Sequence, residues 1–274
     1  MNILQSMVKA YEDYRSGGLC GYIFEKQYIK KDYPDISSPA QGLGCYFEYL
    51  VTGALPKSGK IPEPKWLKSA LKKPAEKREV SDMMSEYRLA TMNADRVKGY
   101  LSSIGLNVKA SGFKKAENGL EGTCDILGEL GGNNVIVDLK YSGLLTDKYQ
   151  PFGWGALEID GYYGDQQRSF HSKQAAQYSI LFGVDEFYYL VCSSTNIYDI
   201  GFFKFEITEE GKRTYIALTN WVRENVEIDK TVGFKPYPEV IRCTQCIMKN
   251  YCKDAIFYPE PKSIKITAEE IWKT

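Results

Sequence analysis

Histidine is almost absent from this chain: its 274 residues hold one, His171. A zinc site built from several histidines is therefore excluded, and a Ser-His-Asp triad is left with a single candidate base. Long apolar runs are missing as well. No stretch reaches the ~18 consecutive apolar residues that mark a membrane-spanning helix. The first residues, MNILQSMVKAYEDYRSGG, form a charged amphipathic pattern and not a secretory one, so the expected location is the cytoplasm. Net charge is lacking too, because 35 Lys+Arg meet 35 Asp+Glu, and no global field draws in nucleic acid. Any basic surface must be local. The lysine run from Lys57 to Arg78 is the candidate, with a solvated helix face or loop as its other reading. No G-x-x-x-x-G-K-[ST] stretch occurs, which excludes a fused ATP-driven motor of that class.

Cysteine, in contrast, is present at seven positions. In a reducing compartment these point to metal binding before disulfides. Cys243 and Cys246 form a C-x2-C pair, and Cys252 follows after five intervening residues. That is metal-ligand spacing, because a short turn aims two thiolates at one point and the next turn supplies a third. Cys20, beside Gly17, Gly18 and Gly21, is the best fourth ligand. Cys45, Cys124 and Cys192 fall inside expected elements and read as small core residues. Such a site would join the N- and C-terminal segments, and four thiolates suit zinc or an iron-sulfur cluster equally.

The stretch Leu120–Gly143, LEGTCDILGELGGNNVIVDLKYSG, carries the second concentration of chemistry. Asp125 lies in one expected strand, Gly131-Gly132-Asn133-Asn134 makes a turn, and Val135–Lys140 makes the next strand. Alternation sends Asp138 and Lys140 to one face and Val137 and Leu139 to the other. A hairpin places Asp125 beside Asp138, and two close carboxylates call for a cation. Magnesium or manganese fits oxygen ligands of this kind. The chemistry suggested is phosphodiester hydrolysis with Lys140 orienting or stabilising the nucleophile. A surface hairpin with solvated Asp and Lys is the other reading.

Around this stretch the pattern predicts an α/β fold with a mixed central sheet. Ile3, Leu4, Met7, Tyr11 and Tyr14 give a helix over 3–15. Ser37-Ser38-Pro39 opens a helix ending near Gly53, with Gly44 and Glu48 one turn apart so that a neighbour can approach the carboxylate closely. Residues 56–80 read as irregular, Ser81–Gly105 as a helix, Leu106–Ala116 as a strand turning at Asn118-Gly119. The aromatic-rich loop 142–164 is a candidate for holding substrate by base stacking, with packing on the core as its alternative. Asp165 caps a helix ending at Gly183 whose Gln167, His171, Gln174 and Tyr178 share one polar face. His171 reads as a surface histidine, with a phosphate or base contact as the alternative. Strands at Glu186–Cys192 and Ile200–Ile207 and a helix opened by Thr208 complete the pattern.

Taken together, Gly44-x3-Glu48, Asp125, Asp138-Leu139-Lys140, Gln174-x3-Tyr178 and one early with three late cysteines resemble the PD-(D/E)XK nuclease superfamily. Within it they are similar to the RecB-like branch with an iron-sulfur cluster, as in AddB-type and CRISPR-associated adaptation nucleases. The resemblance implies a restriction-endonuclease-like core over 37–229, a cluster region from 1–36 and 230–274, and one nuclease domain over 1–274. It implies Mg or Mn on Glu48, Asp125, Asp138 and the Leu139 carbonyl, with Lys140 catalytic. Gln174 and Tyr178 would contact DNA, and Cys20, Cys243, Cys246 and Cys252 would hold a 4Fe-4S cluster. The early-helix histidine common in RecB-like enzymes is absent. A DNA nuclease, read as an exonuclease on single strands or ends, follows, with a protein partner in recombination, repair or CRISPR adaptation. The alternatives are a catalytically weak nucleic-acid-binding or assembly subunit and, last, a redox carrier.

Overall fold

The computed structural model describes residues 1–33, 39–55, 77–150, 152–196, 199–237, 243, 245, 246, 248 and 250–255. The Ser37-Ser38 cap and the lysine run before Lys77 lie outside the described residues. In chain order the elements are β1 (Ile3–Leu4), α1 (Gln5–Arg15), α2 (Gly21–Phe24) continued by a π-helical stretch (Glu25–Lys30), α3 (Pro39–Thr52), α4 (Lys77–Ser103), β2 (Asn107–Glu117), β3 (Leu120–Leu130), β4 (Asn133–Ser142), a 3-10 turn (Trp154–Glu158), α5 (Tyr162–Phe182), β5 (Glu186–Ser193), β6 (Ile200–Glu206) and α6 (Glu209–Val232). The chain divides into two compact units, Met1–Val8 with Pro34–Val226 and Lys9–Tyr33 with Glu227–Thr274.

The first unit is a mixed sheet with helices on it. Its β2–β3 and β3–β4 connections are two-residue hairpins, closed at Glu117↔Leu120 and Leu130↔Asn133. Both turns require left-handed backbone at both central positions, and the residues there adopt it: Asn118 φ 50° with Gly119 φ 74°, and Gly131 φ 58° with Gly132 φ 86°. α5 carries the chain over to β5, which pairs in parallel with β4, and β6 returns antiparallel. β4 is buried on both faces, which accounts for its unbroken Val135-Ile136-Val137 run. Val135, Val137 and Leu139 pack with Phe47 of α3 and Ala94, Val97 and Leu101 of α4. Ile136 faces the other way, toward Trp154 and Ala175.

Several boundaries differ from the sequence reading. Ile3 and Leu4 fit helical spacing but form a strand, pairing in parallel with Leu120 and Glu121, because two apolar residues satisfy either period. α4 begins earlier and α5 starts at Tyr162, leaving Asp165 inside its first turn. Thr208 does open α6, its Oγ1 accepting the Gly211 N–H at 3.1 Å.

β3 has an edge problem that α5 resolves. β2 covers one side of β3 along its length, so β4 and β1 must share the other; β4 pairs Ile126–Leu130 and β1 only Leu120 and Glu121. Between them the strand edge is open. Gln177 Nε2 donates to Glu121 O at 2.8 Å and Ile3 O at 3.2 Å, and Tyr178 Oη donates to Thr123 O at 2.9 Å. Tyr215 of α6 donates to Gln177 Oε1 at 2.6 Å, so this buried amide is engaged at both ends. Gly122 leaves room for the Tyr178 ring, which would lie 2.7 Å from a Cβ there.

In the second unit Tyr11, Tyr14, Phe24 and Phe234 make an aromatic cluster, and Tyr11 Oη donates to Asp229 at 2.6 Å. Gly21 donates its N–H to Lys235 O at 3.2 Å and has no space for a side chain, since a Cβ would lie 2.3 Å from that carbonyl oxygen. No described helix is long and apolar enough to cross a membrane.

Gln177→Ala removes three hydrogen bonds at once and leaves buried carbonyls unpaired. The expected loss is on the order of 3 kcal/mol in urea unfolding, with a lower midpoint and unchanged slope. A loss below about 0.5 kcal/mol would show that the β1–β3–α5 junction is not held this way.

Candidate active site

The Ile126↔Val137 pairing puts Asp125 opposite Asp138 one step further along the hairpin, at the point where β4 leaves β3. With no backbone partner there, the Leu139 N–H donates to Asp125 Oδ2 at 2.7 Å. Asp138 is 3% exposed. Its Oδ1 accepts from Gln174 Nε2 at 2.6 Å, and its Oδ2 faces the Lys140 ammonium in an ion pair while accepting no well-directed hydrogen bond. Glu48, from α3, lies close enough to the Asp125 and Asp138 carboxyls for their charges to act on one another. The structure thus brings Glu48, Asp125, Asp138, Lys140 and Gln174 together. Tyr178 stands on the same face of α5 with its hydroxyl on Thr123. A cleft of about 260 Å³ opens beside it, lined by Ser6, Gly122 and Thr123 among others.

Charge governs the cluster. Burial pushes the Asp125 carboxyl well above its usual range, and Asp138 and Glu48 push it further; Lys140 and the Leu139 N–H oppose them. Glu48 is also raised, first by burial and then by Asp138, against Lys140 and Asp125. Burial acting alone would lower Lys140, but Asp138 and Asp125 outweigh it and its ammonium is held more firmly than in water. Three carboxyls therefore face one ammonium, which raises the tendency of Asp125 and Glu48 to hold a proton.

The donor set suits a hard divalent cation in kind and in charge, since it offers carboxylate oxygens. Among the described residues no three His, Cys, Asp or Glu side chains are arranged as a metal-holding group. The reason lies in their present partners: Asp138 is turned to Gln174 and Lys140, and Asp125 to the Leu139 N–H.

Tyr189 was not legible as a site residue. It is the β5 neighbour of Asp138 and is fully buried, and its hydroxyl donates to His171 O at 3.0 Å and toward Gln174 Oε1 at 3.3 Å. It orients the amide that holds Asp138, and the Lys140 ammonium lies 5.8 Å above its ring. Only the β4–β5 register, a long-range fact, reveals it. Other readings need correction. His171 is not a surface residue: it is buried and stacked on Trp154 at 4.1 Å, because the loop after β4 folds over α5 and encloses the supposed polar face, Gln167 included. Cys45 is exposed, not in the core, whereas Cys124 and Cys192 are buried. Gly44 provides no close approach, since a Cβ there would meet nothing within 4 Å.

The four remaining cysteines all lie in the second unit, and all are reduced. Cys246 N–H donates to Cys243 O at 3.2 Å and Cys252 N–H to Met248 O at 3.0 Å, two successive turns. Tyr22, two residues past Cys20, donates to Tyr251 O at 3.3 Å, next to Cys252. The Cys252 thiol is raised first by burial, with Cys20 and Cys243 adding to it, and Cys246 acts on Tyr33. Cysteine sulfur suits a soft or borderline metal in donor chemistry, but among the described residues no three of these side chains are arranged as a metal-holding group.

No family model matches the chain, and no curated protein matches it. Among solved structures, the chain is similar in fold to a protein from Eubacterium rectale that carries the provisional designation of exonuclease. The TM-score is 0.54 at 14% identity, over 99% of this chain and 93% of that one. A second crystal structure, that of SSO0001, gives a TM-score of 0.33 at 11% identity over 92% and 96% of the two chains and carries no argument. The likeness shows the fold, a mixed sheet flanked by helices.

A carboxyl whose pKa is raised on folding favours the folded state below its unfolded pKa and ceases to do so as pH rises through the folded value. Asp125→Asn should therefore raise the urea midpoint at pH 8 and change it little near pH 4. A lower midpoint at pH 8 would show that Asp125 is not in charge conflict with Glu48 and Asp138.

Proposed function

We propose that this chain is a phosphodiester-cleaving nuclease of the PD-(D/E)XK class. More particularly, we read it as a metal-dependent deoxyribonuclease of the RecB-like kind with a structural four-cysteine site. The observation that carries the reading is the meeting of Glu48, Asp125 and Asp138 with Lys140 at the splayed β3–β4 edge of a nuclease-like fold. Asp125, Asp138, Glu48 and the Leu139 carbonyl would hold magnesium or manganese. When bound, the cation supplies a water nucleophile at neutral pH and neutralises charge at the phosphate.

The chain's own groups do the rest. Gln174, backed by Tyr189, fixes the orientation of Asp138. Asp138 in turn keeps the Lys140 ammonium charged and aimed at the carboxylate edge, where it positions the attacking oxygen and stabilises charge on the phosphoryl oxygens. Tyr178 keeps the unpaired edge of β3 closed next to the site. Cys20, Cys243, Cys246 and Cys252 would hold an iron-sulfur cluster, with zinc as the alternative, in a structural role.

A second reading, a nucleic-acid-binding or assembly subunit, is favoured by one observation: Asp125 and Asp138 are engaged by internal partners, and among the described residues no carboxylates are arranged as a metal-holding group.

Anaerobic purification with absorption spectrum and iron, sulfide and zinc analysis, followed by manganese-dependent digestion of labelled single-stranded and duplex DNA, separates these. Cleavage should be abolished by chelator and fall at least about a hundredfold in Asp138→Asn and Lys140→Ala, with fold and iron or zinc content unchanged. DNA binding without cleavage in the parent would support the second reading, and variants that cut as well as the parent would show that the site is elsewhere.

A further inference from the structure

Among its described residues, the loop between β4 and α5 packs its backbone closely and yet exposes several of its rings. Inside, Trp154 is buried against His171 and Phe203, and its N–H donates to Leu144 O at 3.0 Å. A Cβ at Gly153 would lie 2.3 Å from Asp147 O, one at Gly155 2.7 Å from Thr146 O, and one at Gly164 2.0 Å from Ile159 O. Arg168 of α5 donates to Ile159 O at 2.9 Å and to Asp165 Oδ1 at 2.7 Å. Outside, Tyr149, Phe152 and Tyr162 are 72%, 62% and 70% exposed.

Phe152 is the most telling. Its φ is +68°, a conformation costly for a bulky L-residue, and its side chain nevertheless stays 62% exposed, with Phe170 edge-on at 5.8 Å. Strained backbone that displays an apolar ring on a rigid frame costs the fold stability, and such features belong to binding surfaces.

Chemistry and position indicate the occupant. The rings share this loop and the start of α5 with ion pairs, Lys148 with Glu158 and Arg168 with Asp165, a polar setting. Separate rings in a polar setting suit separate flat ligands, and nucleobases stack on aromatic side chains irrespective of sequence. β4 runs from Asp138 and Lys140 directly into this loop. On α5, Phe170 lies about 6 Å and Tyr162 about 18 Å along the axis from Gln174, at 1.5 Å per residue. That span matches roughly five stacked nucleotides at ~3.4 Å each.

We propose that Tyr149, Phe152 and Tyr162 form a stacking platform for single-stranded nucleic acid that leads the strand to the carboxylate site; its link to cleavage rests on the nuclease reading, while the binding itself does not. The chain carries no net charge to give a global electrostatic grip on duplex, and stacking supplies affinity at the rings. Binding should accordingly favour single strands, with a shallow dependence on salt.

The test is fluorescence anisotropy of a short labelled oligothymidine, its RNA counterpart and a duplex of equal length, in chelator at two salt concentrations. The parent should bind both single strands more tightly than the duplex. The Tyr149→Ser, Phe152→Ser, Tyr162→Ser triple variant should bind at least about tenfold more weakly with the same salt slope. Phe152→Gly, which relieves the strained φ, should bind more weakly while melting no lower than the parent. It serves as the control should the triple variant fail to fold. Parent binding that is undetectable, tighter for duplex, or changed less than about twofold by these substitutions would overturn the proposal. Manganese-dependent digestion in parallel separates the two ideas. Cleavage with ring-independent binding removes the platform and keeps the nuclease, and ring-dependent binding without cleavage does the reverse.

Discussion

Three carboxyls held against one ammonium at the edge of a sheet is the constraint on which this structure turns. Asp125, Asp138 and Glu48 repel one another in a buried setting, and Lys140 balances only part of their charge. A fold has no stability reason to assemble such a group. Its cost is met by the long apolar β4 strand and the two helical layers on it, which leave Asp138 no freedom to turn away. This charge conflict, concentrated where rigid elements converge, is the observation on which the proposed catalytic role rests.

The same constraint explains why β3 gives up its ladder where it does. Pairing with β4 through Asp125 would commit the Leu139 N–H to backbone, whereas the break lets it hold a carboxylate. The gap then needs closing, and successive residues of α5 do it: Gln177 and Tyr178 take the outward carbonyls of Glu121 and Thr123. Gln174, one turn earlier, takes Asp138. One helix therefore both repairs the sheet and positions the acid, so the Gln174-x3-Tyr178 spacing has a structural basis independent of any ligand.

Local rules made much of this legible. Two hairpin turns with Gly or Asn at both central positions fix the lengths of β2, β3 and β4, and period-two alternation then puts Asp125 and Asp138 together and sends Leu139 to the opposite face. What the sequence hid depends on distant partners. Ile3 and Leu4 become a strand only because Leu120 and Glu121 offer an edge. His171 is buried only because Trp154 folds back over it, and Tyr189 joins the site only through the parallel register with β4. A polar stripe on a helix states which residues share a face, not what covers that face.

The central claim is that this carboxylate group is a divalent-cation site, and its most direct test is calorimetric titration of manganese in two buffers of different ionisation enthalpy. Saturable binding accompanied by proton release, lost in Asp138→Asn and retained in Cys246→Ser, is the predicted result, because the cation replaces protons held by Asp125 and Glu48. No binding, or binding that survives Asp138→Asn undiminished, would contradict the account.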